Sequence, residues 1–175
     1  MGALSQLNGS CAALRDASLG TKLNYIMTLL NYHAVSSAGL AIGSSSKAAV
    51  KIANTVTYVH AGLFKSKTSA EVAFTATTHD IAADADTVQE ACYLISLAAD
   101  GTPTMTMGTI ASGAGNAVVP ATPSGKTAIG YVRIAVAAGE TDFDASSDDL
   151  DAAHITDTYV NLMVNDPSSY LTVLT

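Results

Sequence analysis

Apolar residues recur at helical spacing near the start of the chain. After Ser18, a residue type that favours helix N-caps, they follow one another at intervals of 4, 3 and 4 residues, and His33 follows 3 residues later. This spacing predicts an α-helix over about 18–35 with an apolar strip that His33 closes. The strip, which we expect to mediate self-association or docking on a partner, consists of Leu19, Leu23, Ile26 and Leu30.

The heptad assignment of this strip bears on oligomeric state. Leu23 and Leu30 take position a and Leu19 and Ile26 take position d, and Leu at a with Ile at d favours trimers or tetramers over dimers. A strip of about two heptads is also marginal as a coiled coil alone, and a strip of this length more often packs on its own domain than on copies of itself, so both alternatives stay open.

From Val50 onward the pattern changes to short segments rich in Thr and Ala, in which side-chain character alternates as in β-strands. Asp100-Gly101 and Ala61-Gly62 each separate two such segments and predict hairpin turns. About seven to eight short strands indicate a mainly β fold, an antiparallel β-sandwich or barrel, with an N-terminal α-helical arm. The predicted strands are 48–60, 63–67, 71–76, 91–98, 103–109, 127–137 and 157–164, with a last one possible at 169–174.

Stretches of small residues mark the expected connections. The segment 36–46 is small and polar around Leu40-Ala41-Ile42 and predicts a linker, which places a boundary near residue 40. We therefore expect a helical anchoring arm over 1–40 and a β domain over 41–175. The segment 110–126, rich in Gly, Ala, Pro and Ser, predicts a long ordered excursion without a helix.

Composition favours a folded domain with a thin core. The chain has 175 residues, of which 49% are apolar, yet it contains three Phe and no Trp, so stabilisation by neighbouring copies is expected. No stretch approaches the roughly 18–20 continuous apolar residues of a membrane span, and the first residues lack the basic region of a signal peptide. We expect a protein made in the cytoplasm, with no membrane partner.

Charge is distributed unevenly along the chain. Residues 1–80 carry six basic and three acidic residues, a balance of +3, whereas residues 81–175 carry two basic and twelve acidic residues, a balance of −10. This asymmetry fits an acidic, solvated portion and a mildly basic end that docks on an anionic partner. The basic residues are sparse and lack interleaved aromatic residues, so nucleic acid is not an expected partner.

Two glycine-containing motifs resemble nucleotide-binding loops only in part. Pro123-Ser124-Gly125-Lys126-Thr127 ends like a phosphate-binding P-loop, but Pro120 stands where the leading Gly is required and a strand pattern follows. Gly113-Ala114-Gly115 is half of a dinucleotide fingerprint, with Val118 at the place of the third Gly. A turn before a strand and a plain loop are the predicted structures, and no cofactor is expected.

The acidic run over 142–151 leaves two alternatives open, an irregular calcium site or a solvated acidic loop. It differs from an EF-hand because Ser147 and Ala153 stand where Gly and a bidentate Glu are required. No site residues for a metal are assigned. The run consists of Asp142, Asp144, Asp148, Asp149 and Asp151.

The sequence lacks the usual signatures of nucleophilic catalysis. No Gly-x-Ser-x-Gly elbow is present, and no acid is spaced to orient a base beside a nucleophile. We therefore expect no enzymatic activity and assign no catalytic residues. The side chains considered for this role are Cys92, His33, His60, His79 and His154, while Cys11 and Cys92 form no metal-ligand spacing.

Over residues 38–164 the chain resembles a group of proteins of tailed-bacteriophage virions, the head decoration, cement or head-fibre proteins. The resemblance rests on turn and strand patterns, not on catalytic motifs. These are Leu40-Ala41-Ile42-Gly43-Ser44-Ser45-Ser46-Lys47, Gly62-Leu63-Phe64-Lys65-Ser66-Lys67, Pro123-Ser124-Gly125-Lys126-Thr127-Ala128-Ile129-Gly130-Tyr131-Val132, Asp142-Phe143-Asp144 and Thr156-Asp157-Thr158-Tyr159-Val160-Asn161.

The resemblance implies a structural role. Such proteins sit at junctions between capsid subunits, often as trimers, and resist the pressure of packaged DNA. The expected function is to decorate and cement a capsid, with the major capsid protein and further copies of the chain as partners. The expected location is the capsid surface of the virion, after synthesis in the host cytoplasm. The alternative is a host-recognition module on a head fibre or tail, with loops 110–126 and 142–156 on a bacterial surface sugar or protein.

Overall fold

The computed structural model describes residues 31–163, and every regular element in this part of the chain is a β-strand. The predicted mainly β, antiparallel architecture is therefore confirmed. The strands are β1 (Leu40–Ile42), β2 (Ala49–Ile52), β3 (Val56–His60), β4 (Leu63–Lys67), β5 (Ala70–Ala73), β6 (Gln89–Leu97), β7 (Pro103–Met107), β8 (Ala111–Ser112), β9 (Thr127–Val136) and β10 (Ile155–Asn161).

The largest sheet has five strands built around β6. On one side β6 pairs antiparallel with β9, on the other with β7 and β8, and β10 pairs with β9. The predicted turn between β6 and β7 is confirmed, because Leu97 pairs with Pro103 and Gly101 has a φ of 83°. All nine residues of β6 are buried, as expected for a strand with neighbours on both sides and cover on both faces.

Two smaller antiparallel sheets complete the fold. One contains β1, β2 and β5, and the other is the two-stranded hairpin of β3 and β4. The hairpin turns at Ala61-Gly62 as predicted. Both residues have positive φ, 50° and 75°, which is the turn geometry that matches the twist of paired strands. Because β2 and β3 belong to different sheets, the single strand predicted over 48–60 is divided at residues 53–55.

The three sheets contribute to one hydrophobic core, with Ile52 and Tyr58 from the small sheets and Tyr93 and Ile134 from the large one. Gly130 in β9 allows β1 to approach the large sheet closely. A Cβ at this position would lie 2.4 Å from Cδ1 of Leu40 and 2.6 Å from the carbonyl oxygen of Val160. The position therefore excludes any side chain.

Residues 31–36 do not continue the predicted helix. Tyr32 has a φ of 61°, and its N–H donates to the carbonyl of Val59 at 2.9 Å, while Ala34 forms an antiparallel bridge with Tyr58. Backbone groups of this segment thus form hydrogen bonds with the free side of β3. This long-range pairing outweighs the helical periodicity of the local sequence. The prediction of helix over 31–35 is wrong, and His33 forms a parallel bridge with Ala128 instead of closing a helical seam.

The remaining helix prediction falls outside the described residues. Leu19, Leu23, Ile26 and Leu30 all precede residue 31, and the strand considered at 169–174 follows residue 163. The helical arm, its apolar strip and that last strand stay predictions, as does the division into 1–40 and 41–175.

Two further sequence interpretations need correction. The small, polar stretch predicted as a linker contains β1, which pairs with β2, and Ala38 and Leu40 belong to the core. Small residues occur there because β1 lies close against β9. The barrel alternative is also wrong, since the strands form three separate sheets and the largest ends at β10 and β7 without closing.

Candidate functional site

The long strands connect two chemically different ends of the molecule. β6 begins at Gln89 beside the end of β9 at Val136, and it finishes at Leu97 beside the start of β9 at Thr127. Nine strand residues at about 3.3 Å each separate these ends by about 30 Å. We call residues 75–87 with 139–151 the loop end. Residues 31–33, 60–67 and 98–102 form the hairpin end.

The loop end is strongly acidic and is held together by backbone hydrogen bonds. Ile81 and Phe143 exchange two of these bonds, at 3.0 and 2.9 Å, and the N–H of Gly139 donates to the carbonyl of Asp84 at 2.9 Å. The two loops therefore form one unit. Its acidic residues are Asp80, Asp84, Asp86, Glu140, Asp142, Asp144, Asp148, Asp149 and Asp151.

Several of these carboxylates accept hydrogen bonds from loop backbone. Asp80 accepts from the N–H of Ala145 at 2.9 Å and from that of Thr77 at 3.0 Å. Asp84 accepts from the N–H groups of Asp86 and Thr87, both at 2.9 Å, and these bonds lower the pKa of its carboxyl. Asp84 thus stabilises a local turn, while Asp80 also joins the two loops through Ala145.

The calcium alternative finds no preformed ligand set in residues 31–163, where no three His, Cys, Asp or Glu side chains converge as metal ligands. Asp144 accepts from the N–H of Ser146 at 2.8 Å and from its hydroxyl at 2.6 Å. Asp148 accepts from the N–H of Asp144 at 2.8 Å. The geometry therefore favours the solvated-loop alternative for this run.

An aromatic cluster lies beneath the loop end. Phe74 makes edge-to-face contacts with His79, Tyr93 and Phe143 at centroid distances of 5.8, 5.1 and 5.5 Å. The Tyr93 hydroxyl donates to the carbonyl of His79 at 2.6 Å, and burial raises the pKa of Tyr93. Burial lowers the pKa of His79, whose Nδ1 accepts from the N–H of Thr75 at 2.8 Å. His79 is therefore a neutral structural residue.

The other side chains considered for catalysis are dispersed in the described part of the chain. Cys92 is buried, its Sγ donates to the carbonyl of Ala117 at 3.7 Å, and burial raises the pKa of its thiol. His60 lies at the hairpin end, with Nδ1 at 3.5 Å from Oγ1 of Thr127. His154 faces Asp148 at 3.7 Å near the loop end. Raised thiol pKa and burial are features of an unreactive cysteine.

The two glycine-containing motifs adopt the predicted loop structures. In the P-loop-like segment the N–H of Lys126 donates to the carbonyl of Pro123 at 3.2 Å, Gly125 has a φ of 69°, and β9 follows. The Lys126 ammonium donates to Oγ1 of Thr104 at 2.9 Å. The segment is a turn before a strand, as predicted, and Gly113 to Gly115 lie in a loop.

The hairpin end exposes apolar side chains. Leu63 is 63% exposed, Phe64 57% and Tyr32 41%. Both Leu63 and Phe64 belong to β4, whose only strand partner in residues 31–163 is β3. We call these three residues, with the half-buried Lys65 and Lys67 on the same strand, the hairpin patch. Leu63 lies on the same side of β4 as the two lysines, and Phe64 lies on the other side. Exposed apolar groups beside partly exposed basic groups are typical of an interaction surface.

The hairpin patch is firmly supported. The Tyr58 hydroxyl donates to the carbonyl of Ala98 at 3.3 Å, and the Lys65 ammonium donates to the carbonyl of Ala99. The N–H of Gly62 donates to Oδ1 of Asn31 at 3.1 Å. These contacts join the hairpin to the β6–β7 turn and to Asn31, the first described residue. In sequence, the predicted strip Leu19 to Leu30 ends directly before Asn31.

Sequence reasoning predicted the strand 63–67 correctly but missed its exposure. The available signal is the pair of consecutive apolar residues, Leu63 and Phe64, directly after a two-residue turn. Consecutive strand residues point to opposite faces, so a hairpin without a covering layer exposes at least one of them. The exposure results from the pairing of β3 and β4 in a separate two-stranded sheet, which the local sequence pattern does not indicate.

Comparisons with known proteins return no relative. No family model, no curated protein and no solved structure matches the chain. Among the residues that the structure describes, no helix has the length and apolar character required to cross a membrane.

Proposed function

We propose that this protein is a structural attachment protein that decorates and cements a bacteriophage capsid, docking through its hairpin end. The observation that carries the proposal is the hairpin patch, in which Leu63 and Phe64 are more than half exposed beside Lys65 and Lys67. Exposed apolar residues in a small, well-supported area favour a protein partner, because burying them on contact is favourable.

The uneven distribution of charge favours one orientation of the docked protein. The loop end carries nine acidic residues, whereas the hairpin end has Lys65 and Lys67 against Asp100. An acidic area on the major capsid protein would attract the hairpin end and repel the loop end. The loop end would then face outward, where its solvated carboxylates keep the particle surface soluble.

The resemblance to head decoration and cement proteins supports the same role. It includes Gly62 to Lys67, the segment that forms the turn and the exposed strand. The proposal also includes a homotrimer at junctions between capsid subunits. In it, the strip Leu19, Leu23, Ile26 and Leu30 extends the contact surface, and the sheets form the layers of a β-sandwich body.

The test is rebinding to heads of the encoding virus from which the protein has been removed. Wild type and the variant Leu63→Ser/Phe64→Ser are added at equal concentration, and occupancy is read from the bound fraction after sedimentation. Both side chains are partly buried before docking, so complete burial contributes about 1–2 kcal/mol each, and loss of the two predicts a fall in affinity of at least about 30-fold.

A matched control removes exposed apolar side chains elsewhere. Ile110 and Val118, on either side of β8, are 39% and 74% exposed and lie outside the hairpin end, so Ile110→Ser/Val118→Ser is expected to bind heads like wild type. Equal occupancy of all three proteins would overturn docking through the hairpin patch. Absence of the wild-type protein from heads, with antibody label on tails or on no particle, would overturn the decoration function itself.

A second candidate function, recognition of the host surface from a head fibre or tail, is favoured by one observation. A cavity opens beside the loop over 110–126, on the side of the large sheet that faces away from the core. Binding of the purified protein to host cells would favour this function over decoration. The two functions are compatible if the hairpin end docks and the cavity stays accessible.

A further inference from the structure

The outward-facing side of the large sheet differs from its core side. Side chains alternate between the two sides, and Tyr93 and Ile134 face the core. The opposite side therefore carries Glu90 of β6, Arg133 of β9 and Thr158 of β10. We call this side the outer face. Part of it is covered by residues 113–117, which return across the sheet after β8.

A cavity of about 300 Å³ lies between that covering loop and the sheet. Its polar lining comes from Glu90, Arg133, Thr156 and Thr158, and alanines, among them Ala114 and Ala135, leave room above the strands. The volume is at the lower end of the range of small-molecule sites. The cavity therefore has room for a single small molecule.

The covering loop donates hydrogen bonds to one of the two carboxylate oxygens of Glu90. Its side chain is 3% exposed, and its Oε2 accepts from the N–H of Gly115 at 2.8 Å and from that of Ala117 at 3.4 Å. Its Oε1 is not one of the buried side-chain atoms that lack a hydrogen-bond partner in residues 31–163, so this oxygen is open to the cavity that the side chain lines. An oxygen that is open to a cavity can accept a hydrogen bond from a ligand that takes the place of water there.

Arg133 supplies donors on the opposite side of the same cavity. In the register of β6 and β9, Arg133 pairs with Cys92 and Ala135 pairs with Glu90, so Arg133 and Glu90 are diagonal neighbours. The two do not form a salt bridge, and Arg133 has no acidic partner within the described residues. Its planar group therefore has hydrogen-bond donors free for a ligand.

The arrangement favours a ligand with many hydroxyl groups. Thr158 pairs with Arg133 and Thr156 pairs with Ala135, so two hydroxyls, each able to donate and accept, lie along the edge of the cavity. The carboxylate and the guanidinium together contribute no net charge. A neutral polyol satisfies this set by donating to Glu90 and accepting from Arg133, whereas an anion would meet the Glu90 charge.

We propose that the Glu90–Arg133 cavity binds a single sugar ring, such as the terminal residue of a surface glycan. The sugar hydroxyls donate to Oε1 of Glu90, its oxygens accept from Arg133, and Thr156 and Thr158 complete the hydrogen bonds. The proposal deepens the host-recognition candidate and is independent of docking through the hairpin patch.

The test titrates the full chain with glucose, galactose, mannose, N-acetylglucosamine and glucuronic acid, each to about 10 mM, and follows backbone amides by NMR. At least one sugar is expected to shift the amides of Gly115, Ala135 and Thr158 saturably, with a Kd of about 1 mM. Arg133→Gln and Thr158→Val are expected to weaken this binding, Arg133→Gln by at least about 10-fold.

A matched control is Lys126→Gln, which removes one positive charge at the hairpin-end start of β9 and is expected to leave the affinity unchanged. Thermal unfolding of each variant establishes that it is folded. The proposal is overturned if no sugar shifts these amides or if Arg133→Gln binds like wild type. The docking proposal predicts that Arg133→Gln occupies heads as wild type does. Head binding by this variant therefore distinguishes failure of the sugar-binding proposal from failure of the docking proposal.

Discussion

The two ends of the large sheet are built in opposite ways from the same chain. At the loop end, Phe143 is fully buried, the carboxylate of Asp80 accepts a hydrogen bond from the neighbouring loop, and that of Asp84 accepts hydrogen bonds within its own loop. At the hairpin end, Leu63 and Phe64 are exposed on a strand with one partner. The loop end therefore satisfies its own groups, while the hairpin end leaves apolar surface free for another molecule.

This difference shows that residue type alone does not identify an interaction surface. The acidic run is the most conspicuous charge feature of the sequence, yet hydrogen bonds within the loops account for several of its carboxylates. The apolar pair at the hairpin turn is inconspicuous in sequence, yet it has no cover in the described structure. Polar groups that are hydrogen-bonded within the protein indicate a structural role, whereas exposed apolar groups indicate a surface for contact with another molecule.

The largest expected contrast is between two phenylalanines. Phe143→Ala removes a fully buried ring from the aromatic cluster and is expected to lower the free energy of unfolding by about 3–5 kcal/mol. Phe64→Ala, at a ring that is 57% exposed, is expected to change it by less than about 0.5 kcal/mol. Urea unfolding monitored by circular dichroism measures both. A similar loss for the two variants would mean that the hairpin patch is part of the folding core.

A smaller effect is expected where the sheets meet between the two ends. Gly130→Ala places a Cβ 2.4 Å from Cδ1 of Leu40 and 2.6 Å from a backbone oxygen, so β1 has to move away from β9. We expect a loss of about 1–3 kcal/mol, measured in the same urea experiment.

Gly115→Ala is the matched control for that prediction. Its φ of 83° is unfavourable for alanine, but no atom lies within 4 Å of the added Cβ. The substitution is expected to lower the free energy of unfolding by about 1 kcal/mol, because it introduces a conformational penalty but no steric clash. If Gly130→Ala were no more destabilising than this control, close approach of β1 would not be the reason for glycine at 130.

The sequence predicted the fold well where one local signal decides the structure. Asp100-Gly101 and Ala61-Gly62 contain residues suited to tight turns, and both hairpins form where predicted. Periodicity failed at 31–35, because extended pairing with β3 is a long-range interaction that no local pattern contains. It failed likewise at β1, where small residues reflect close packing against β9 and not a linker.

The candidate sites were less predictable for the same reason. Exposure of Leu63 depends on β3 and β4 forming a sheet apart from the others. The relation of Glu90 to Arg133 depends on the register between β6 and β9, which are about 40 residues apart in sequence. Strand order and register are properties of the assembled sheet, so the sequence alone indicated neither site.

The smallest expected effect concerns pH and distinguishes the loop-end acids from one another. Hydrogen bonds from Asp86 and Thr87 lower the pKa of Asp84, and those from Ser146 lower the pKa of Asp144. A carboxyl whose folded pKa lies below its unfolded value, about 3.9, stabilises the fold above that value and loses this contribution as pH falls through the folded pKa. We therefore expect Asp84→Asn/Asp144→Asn to have a lower Tm than wild type near neutral pH and the same Tm at about pH 2.

Asp149→Asn provides the matched control for this effect. Asp149 is exposed and its carboxylate accepts no hydrogen bond within the described residues, so the substitution removes a charge from the same acidic end without removing a turn. Its Tm is expected to equal or exceed that of wild type at neutral pH, because relief of repulsion between the loop-end carboxylates offsets the loss of a weak attraction to Lys47. Calorimetry from pH 2 to pH 7 measures all three proteins. A destabilisation of Asp149→Asn equal to that of the double variant would show that charge at the loop end, and not turn formation, is what stabilises it.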